Sequence, residues 1–182
     1  MSRTIPNENR RHYLMKLSSY VLALRPWSFS TSLMPVLLGC TLAYKFTGIF
    51  NTLTLIITAI TCLSLHAAGN LVNTYYDWQK GIDNDASSDR TLVDKILSIE
   101  EVVSLGVLLY AGGCLGFVIL VGLSPAQMEH LALVHFCGLS SSFLYTGGIG
   151  FKYIALGDLT VLIFFGPFCV LYAYLAQTGH VS

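Results

Sequence analysis

Charged residues are scarce in this sequence, and their scarcity excludes an ordinary soluble domain. Only 11% of the 182 residues are Asp, Glu, Lys or Arg, whereas soluble globular domains carry about 25%. Hydrophobic residues make up 54% of the chain, and the mean hydropathy is +0.64. This composition is typical of a membrane protein, so we expect a lipid bilayer rather than a nucleic acid as its partner.

Several common site motifs are missing as well. The absence of a Cys-x-x-Cys pair, a P-loop and an EF-hand loop argues against zinc-thiolate, Walker-type nucleotide and dedicated calcium sites. Residues 1–20 contain no apolar h-region, so no cleavable signal peptide is expected. The five cysteines all lie inside apolar runs, where we interpret them as small core residues. They are Cys40, Cys62, Cys114, Cys137 and Cys169.

Long uncharged runs dominate the sequence. Five of them approach or exceed the roughly 20 residues that a membrane-spanning helix needs, and none alternates apolar and polar residues as a strand would. The sequence therefore predicts an all-α, multi-pass transmembrane helical bundle with about five spans. Residues 1–19 are predicted to form a disordered, basic cytoplasmic arm, and residues 20–182 one membrane unit. The five runs are residues 27–44, 46–76, 102–128, 130–151 and 159–182.

Basic residues are distributed unevenly between the predicted loops. The N-terminal arm and the second and fourth loops together carry nine Lys and Arg residues, whereas the first loop carries one. By the positive-inside rule, the nine mark the cytoplasmic side of the membrane. They are Arg3, Arg10, Arg11, Lys16, Arg25, Lys80, Arg90, Lys95 and Lys152, and the single residue opposite them is Lys45.

Small residues interrupt the third run, and a glycine-rich stretch follows the fourth. The sequence AGGCLG at residues 111–116 predicts close packing against a neighbouring helix, because small residues let helix backbones approach each other. The second stretch, YTGGIGFKYIALGD at residues 145–158, is predicted to be a polar break between two spans.

Four polar residues lie where the second run ends, in the segment NLVNTYYDWQKGID. Asn73 and Asp77 are four residues apart and share one helix face, with Asn70 on the same stripe. Gly81 is expected to end the helix, so that the chain turns and brings Asp83 near Asp77. Polar groups at membrane depth are costly and mark functional sites, so these side chains are candidate site residues.

Carboxylates and amides together indicate a hard cation. Mg²⁺ binds through one or two carboxylates and fills its remaining positions with phosphate oxygens and water. Lys80, Arg90 and Lys152 flank the acidic residues, so the set is typical of a Mg-diphosphate site. The alternative is a solvated acidic loop. That alternative accounts for the three later aspartates, which are Asp85, Asp89 and Asp94.

The pattern Asn-x-x-Asn-x-Tyr-x-Asp-x-x-x-Gly-x-Asp resembles the first aspartate-rich motif of the UbiA superfamily of intramembrane prenyltransferases. The closest likeness is to the branch that prenylates naphthoquinones in menaquinone (vitamin K2) synthesis. LRPWSFSTSLMPVLLG at 24–39 resembles the first helix of that branch. Its central region is similar to LYTGGIGFKYIALGDL at 144–159 and FGP at 165–167, and SDRTLVD at 88–94 resembles its animal members.

The resemblance implies a fold of about nine transmembrane helices and a Mg²⁺-dependent transfer of an isoprenoid chain. The donor would be a geranylgeranyl-type prenyl diphosphate and the acceptor a quinone or quinol. The implied location is the endoplasmic reticulum membrane, ahead of Golgi or mitochondrial membranes, with a protein partner or homo-oligomer as a further contact. Metal binding and catalysis are assigned to Asn73, Asp77 and Asp83. Diphosphate or acceptor binding is assigned to Asn70, Lys80, Arg90, Tyr145 and Lys152.

The sequence departs from this family in one respect. The family carries a second aspartate-rich motif in a later helix, but the only aspartate after residue 94 here is Asp158. We therefore expect a truncated chain that is inactive on its own. Two other classes stay open: a non-catalytic lipid- or partner-binding membrane protein with the same partial fold, and a CDP-alcohol phosphatidyltransferase. The second lacks support, since its Asp-Gly-x-x-Ala-Arg signature is missing.

Overall fold

The computed structural model describes the backbone of residues 5–180 and the side chains of residues 14–180, and all regular structure within them is helical. The all-α prediction is therefore confirmed. Short 3-10 turns cover Pro26–Ser28 and Phe151–Ile154, and a π-helical turn covers Phe164–Phe168. The seven α-helices are α1 (Ile5–Ala23), α2 (Ser30–Thr47), α3 (Thr52–Gln79), α4 (Ile99–Leu123), α5 (Met128–Leu144), α6 (Gly157–Ile163) and α7 (Cys169–Thr178).

Three helical stretches of the described chain are long and apolar enough to cross a membrane, and the bent pair α1–α2 would make a fourth. They are α3, α4 and the combined stretch Gly157–Thr178. The sequence predicts five spans, and the difference arises chiefly at α5. Its 17 residues extend only about 26 Å, less than the roughly 30 Å of a bilayer's hydrocarbon core, because the glycine-rich stretch follows directly.

The N-terminal segment is helical where the sequence predicts disorder. Helix α1 begins at Ile5, so disorder is wrong for residues 5–19, while residues 1–4 lie outside the described part of the chain. Lys16 Nζ lies 2.6 Å from a Glu101 carboxylate oxygen, and the Tyr20 hydroxyl donates to that oxygen at 2.8 Å. These contacts tie α1 to the first turn of α4.

Glycines allow two pairs of helices to pack closely, as the AGGCLG stretch predicts for α4. A Cβ atom added to Gly113 would lie 2.5 Å from Leu65 Cδ2, and one added to Gly116 would overlap the Thr61 side chain. Helices α3 and α4 therefore pack along a stripe that side chains would obstruct. Gly39 does the same between α2 and α7, where an added Cβ would meet the Val170 carbonyl oxygen.

Two apolar clusters pack at different levels of the bundle. One contains Val102 near the start of α4 and residues of α1, α3 and the loop at 80–98. The other contains Leu120 near the end of α4 and residues of α5 and α7. Val102 and Leu120 are 18 residues apart, or about 27 Å along the helix, so the clusters lie near opposite ends of the bundle.

Candidate functional site

A cavity of about 360 Å³ lies between α2, α3, α5 and the α6–α7 stretch. Its lining includes Asn73 and Tyr145, and it also includes Cys62 and His135. Cys62 lies eleven residues before Asn73 on α3, and His135 lies ten residues before Tyr145, which directly follows α5. Each separation is about 15 Å along the helix axis. The cavity thus has a polar end, lined by Arg25, Asn70, Asn73, Tyr145 and Lys152, and an aromatic end, lined by His135, Phe168 and Tyr172.

Asp77 is a buried carboxylate beside the polar end, and both of its oxygens accept hydrogen bonds. It is 3% exposed, and its Oδ2 accepts from Lys152 Nζ at 2.5 Å. The same ammonium donates to Asn73 Oδ1 at 3.1 Å, and the Tyr153 hydroxyl donates to Asp77 Oδ1 at 2.9 Å. The structure therefore brings Lys152 to Asn73 and Asp77, which lie 79 and 75 residues before it in the sequence.

Local backbone geometry explains this convergence. Asn73 and Asp77 lie one turn apart on α3, which ends at Gln79 before Gly81 with φ +69°. The Asp83 N–H then donates to the Asp77 carbonyl oxygen at 3.2 Å, so the chain turns back as predicted. Lys152 and Tyr153 are presented by the 3-10 turn Phe151–Ile154, which begins and ends at left-handed residues.

Asp83 carries negative charge that its surroundings compensate poorly. Burial raises the pKa of its carboxyl group, and so do the negative charges of Asp89 and Asp77, although Arg25 and Lys152 act in the opposite direction. A cation bound nearby would relieve this repulsion. The role of Asp83 as a cation ligand stays a prediction.

The structure corrects the prediction that Asp89 belongs to a solvated loop. Its side chain is only 11% exposed and forms an ion pair with Arg25 at 2.5 Å. Thr74 Oγ1 donates to it at 2.6 Å, and the Thr91 N–H donates at 3.0 Å. Burial alone would raise the pKa of Asp89, but these hydrogen bonds lower it to about 2. The Arg25–Asp89 pair thus holds the acidic loop, residues 80–98, against the segment that precedes α2.

Three further residues predicted to bind diphosphate or acceptor, Asn70, Lys80 and Arg90, have different surroundings. The Asn70 amide donates to the Leu24 carbonyl oxygen at 2.9 Å and so holds the α1–α2 junction. Lys80 Nζ lies 4.6 Å from the centre of the Tyr153 ring. Arg90 pairs with Asp94 at 2.5 Å on the exposed side of the loop. Asn70 lines the cavity, whereas Lys80 and Arg90 do not. Its role in diphosphate binding stays a prediction.

A metal held by protein ligands alone does not fit this site. Among the described residues, no group of three or more His, Cys, Asp or Glu side chains is arranged to hold an ion. Two carboxylates and one amide do fit a Mg²⁺ ion that takes its other ligands from phosphate and water. The assignment of Asn73, Asp77 and Asp83 to the metal stays a prediction on this basis.

Sequence reasoning missed three residues at the polar end: Arg25, Asp89 and Tyr153. The sequence analysis uses Arg25 only as a charge that marks topology, although its φ of +54° is rare for a residue other than glycine. Tyr153 directly follows Lys152, and the Gly150 turn before it was the available signal. Only the tertiary arrangement reveals that both residues reach a carboxylate.

Comparison with known proteins defines the class of this molecule. The model of the UbiA prenyltransferase family matches residues 32–182, and the chain therefore belongs to that family. UbiA prenyltransferase domain-containing protein 1 of Homo sapiens is 56% identical over 180 residues, covering 97% of this chain and 53% of the relative. The Drosophila melanogaster homolog is 63% identical over 170 residues, covering 92% and 47%. The chain spans about half the length of these curated relatives.

Proposed function

We propose that this chain carries the donor-binding residues of an enzyme that transfers an isoprenoid chain from a prenyl diphosphate of the geranylgeranyl type to a naphthoquinone-type acceptor, as in menaquinone synthesis. The observation that carries the proposal is a cavity whose polar end is lined by Asn73 and Lys152, with aromatic residues beyond. Lys152 in turn pairs with the buried Asp77. Such a cavity suits a ligand with a strongly anionic head and an apolar tail. Family membership supports the same reaction class.

The chain's own residues have distinct roles in this proposal. Asn73, Asp77 and Asp83 would hold Mg²⁺, which withdraws charge from the leaving diphosphate. Lys152 and Arg25 line the same end and would bind diphosphate oxygens. Phe164, Phe165 and Phe168 line the cavity wall, where they would surround the isoprenoid tail and exclude water from the allylic cation.

A second candidate is a non-catalytic protein that binds a prenyl lipid. It is favoured by the observation that both Asp77 carboxylate oxygens are already held by Lys152 and Tyr153, an arrangement complete without a substrate. The test uses residues 1–182 in nanodiscs with radiolabelled geranylgeranyl diphosphate, Mg²⁺ and a naphthoquinol. Labelled prenylated product supports transfer, whereas binding without product supports the second candidate. Absence of both contradicts the two together.

The polar end is proposed to face the cytoplasm in the endoplasmic reticulum membrane. Support comes from the nine basic residues of the alternate loops against one in the first loop. In sealed microsomes, Ser88→Cys should react with an impermeant maleimide from outside, whereas Ile49→Cys in the first loop should react only after permeabilisation. The reverse labelling pattern would contradict the orientation.

A further inference from the structure

The key carboxylate of the polar end is fully occupied by side chains of the protein itself. Lys152 binds Asp77 Oδ2 and Asn73 Oδ1 with one ammonium group. Tyr153 binds the other Asp77 oxygen, Oδ1. Two of the three proposed metal ligands are therefore engaged before any ligand arrives, and only Asp83 keeps a poorly compensated charge.

A divalent cation that binds Asp77 must compete with Lys152 for the same oxygens. Two positive groups cannot share this 3%-exposed carboxylate without strong repulsion, because Coulomb terms grow in a poorly solvated site. A diphosphate changes the balance, since its oxygens can bind the cation and the displaced ammonium at once. Lys152 and Mg²⁺ then no longer compete for Asp77, and the binding of diphosphate favours the binding of Mg²⁺.

We propose that Lys152 is an internal counterion that holds Asp77 and Asn73 until a diphosphate arrives, when it moves to the diphosphate and yields both to the cation. This proposal rests on the proposed function. It makes the binding of Mg²⁺ and of diphosphate mutually dependent, by the same factor in each direction. The cation is thereby loaded together with the donor substrate rather than before it.

Tyr153 is the positioning residue of this exchange. Its hydroxyl stays on Asp77 Oδ1 and can keep the carboxylate oriented while Lys152 leaves Oδ2. Its ring is itself fixed, because Lys80 Nζ lies 4.6 Å from the ring centre. The turn that carries Lys152 and Tyr153 ends at Ala155, whose φ is +60°, so both side chains are presented from one constrained segment.

Calorimetric titration of the chain in nanodiscs tests the exchange, with MgCl₂ and inorganic diphosphate as probes, separately and together. In the wild-type chain, each probe should tighten the binding of the other by about tenfold or more, within the range of known couplings. Lys152→Met should bind Mg²⁺ alone about tenfold more tightly, bind diphosphate more weakly, and lose most of the coupling. Lys45→Met, which removes the same charge at the opposite side of the bundle, should match the wild type.

Further variants keep the test decisive if Lys152→Met folds poorly. Lys152→Arg preserves the charge and should keep Mg²⁺ binding weak in the absence of diphosphate. Tyr153→Phe should weaken joint binding several-fold and leave a folded chain. Unchanged Mg²⁺ affinity in Lys152→Met, with wild-type coupling intact, would overturn the exchange but leave the proposed function standing. Failure of the wild-type chain to bind either probe would overturn both.

Discussion

The two ends of the cavity treat buried polar groups differently. At the polar end, Asp77 and Asp89 each have a cationic partner at 2.5 Å and at least one hydroxyl donor. At the aromatic end, His135 is 2% exposed and stacks on Phe117 with ring centres 4.8 Å apart. Its Nε2 atom has no hydrogen-bond partner in the described structure.

This difference indicates what each end is built to do. Ion pairs that are buried cost desolvation free energy and add little net stability, so their concentration around Asp77 points to function rather than folding. The aromatic end lies beside the apolar cluster around Leu120 and Tyr172, which closes the bundle there. We therefore expect substitutions at the polar end to affect ligand binding, and substitutions of His135 and Tyr172 at the aromatic end to affect packing.

The largest expected effect follows loss of the Asp77 charge. Asp77→Asn in a full-length relative should lower prenyl transfer by about a hundredfold or more, because cation contacts supply several kcal/mol of charge stabilisation and each 1.4 kcal/mol or so is tenfold in rate. Asp83→Asn should behave similarly. The control is Asp85→Asn, since that side chain is 95% exposed. Equal losses at all three positions would mean that the loop acts as a diffuse negative field.

The next effect concerns the buried ion pair of the acidic loop. Asp89→Asn should destabilise the fold by about 2 kcal/mol at pH 7, because the folded-state pKa lies near 2 and one pKa unit corresponds to about 1.4 kcal/mol. Because the pKa of Asp89 is lower in the folded state, its charge stabilises the fold at pH values above the unfolded-state pKa of 3.8. That contribution to the free energy of unfolding is lost as the pH falls toward 2. Denaturant unfolding at pH 7 and at low pH measures it.

Asp94→Asn is the matched control for Asp89→Asn. Asp94 also pairs with an arginine, Arg90, but its side chain is 41% exposed, and exposed pairs contribute little. Its removal should leave the unfolding midpoint nearly unchanged. A destabilisation by Asp89→Asn that persists undiminished at low pH would show that the ion pair is not its cause.

The sequence predicts the helical class, whereas contacts between distant segments become visible only in the structure. Asn73, Asp77 and Asp83 follow from helical spacing and a glycine stop, which are local properties. The roles of Arg25 and Tyr153 cannot be predicted from local sequence, because their contacts join segments far apart along the chain. The uncharged run at α5 gives only a 17-residue helix, because hydropathy continues past Leu144 while the backbone turns at the following glycines.

Helix packing beside the aromatic end should show an intermediate effect. Gly39→Ala places a methyl group against the Val170 carbonyl oxygen and within 2.8 Å of Ala173 Cβ. Backbone cannot move aside as a flexible side chain can, so we expect a loss of about 1–3 kcal/mol. Gly122→Ala is the control, since its added Cβ would meet no atom within 4 Å. Equal unfolding midpoints for the two variants would mean that α2 and α7 can separate without cost.

The smallest effect is expected at His135, whose Nε2 atom has no hydrogen-bond partner in the described structure. His135→Leu should lower the unfolding free energy by only about 1 kcal/mol, because it removes a single long hydrogen bond. Its one contact to Tyr172, between the hydroxyl and Nδ1, is long at 3.4 Å. His66→Leu gives the contrast. Both His66 ring nitrogens have partners, Ser32 at 2.7 Å and Ser28 at 3.2 Å.

Removing His66 therefore leaves the buried Ser32 hydroxyl without its partner, and we expect a loss of about 1–3 kcal/mol. Denaturant unfolding of both leucine variants in the same detergent measures the difference directly. Since the two residues are both buried and both line the cavity, burial alone would predict equal losses. A larger loss for His135→Leu than for His66→Leu would mean that a polar ligand or water satisfies Nε2, and that the aromatic end is a second polar site.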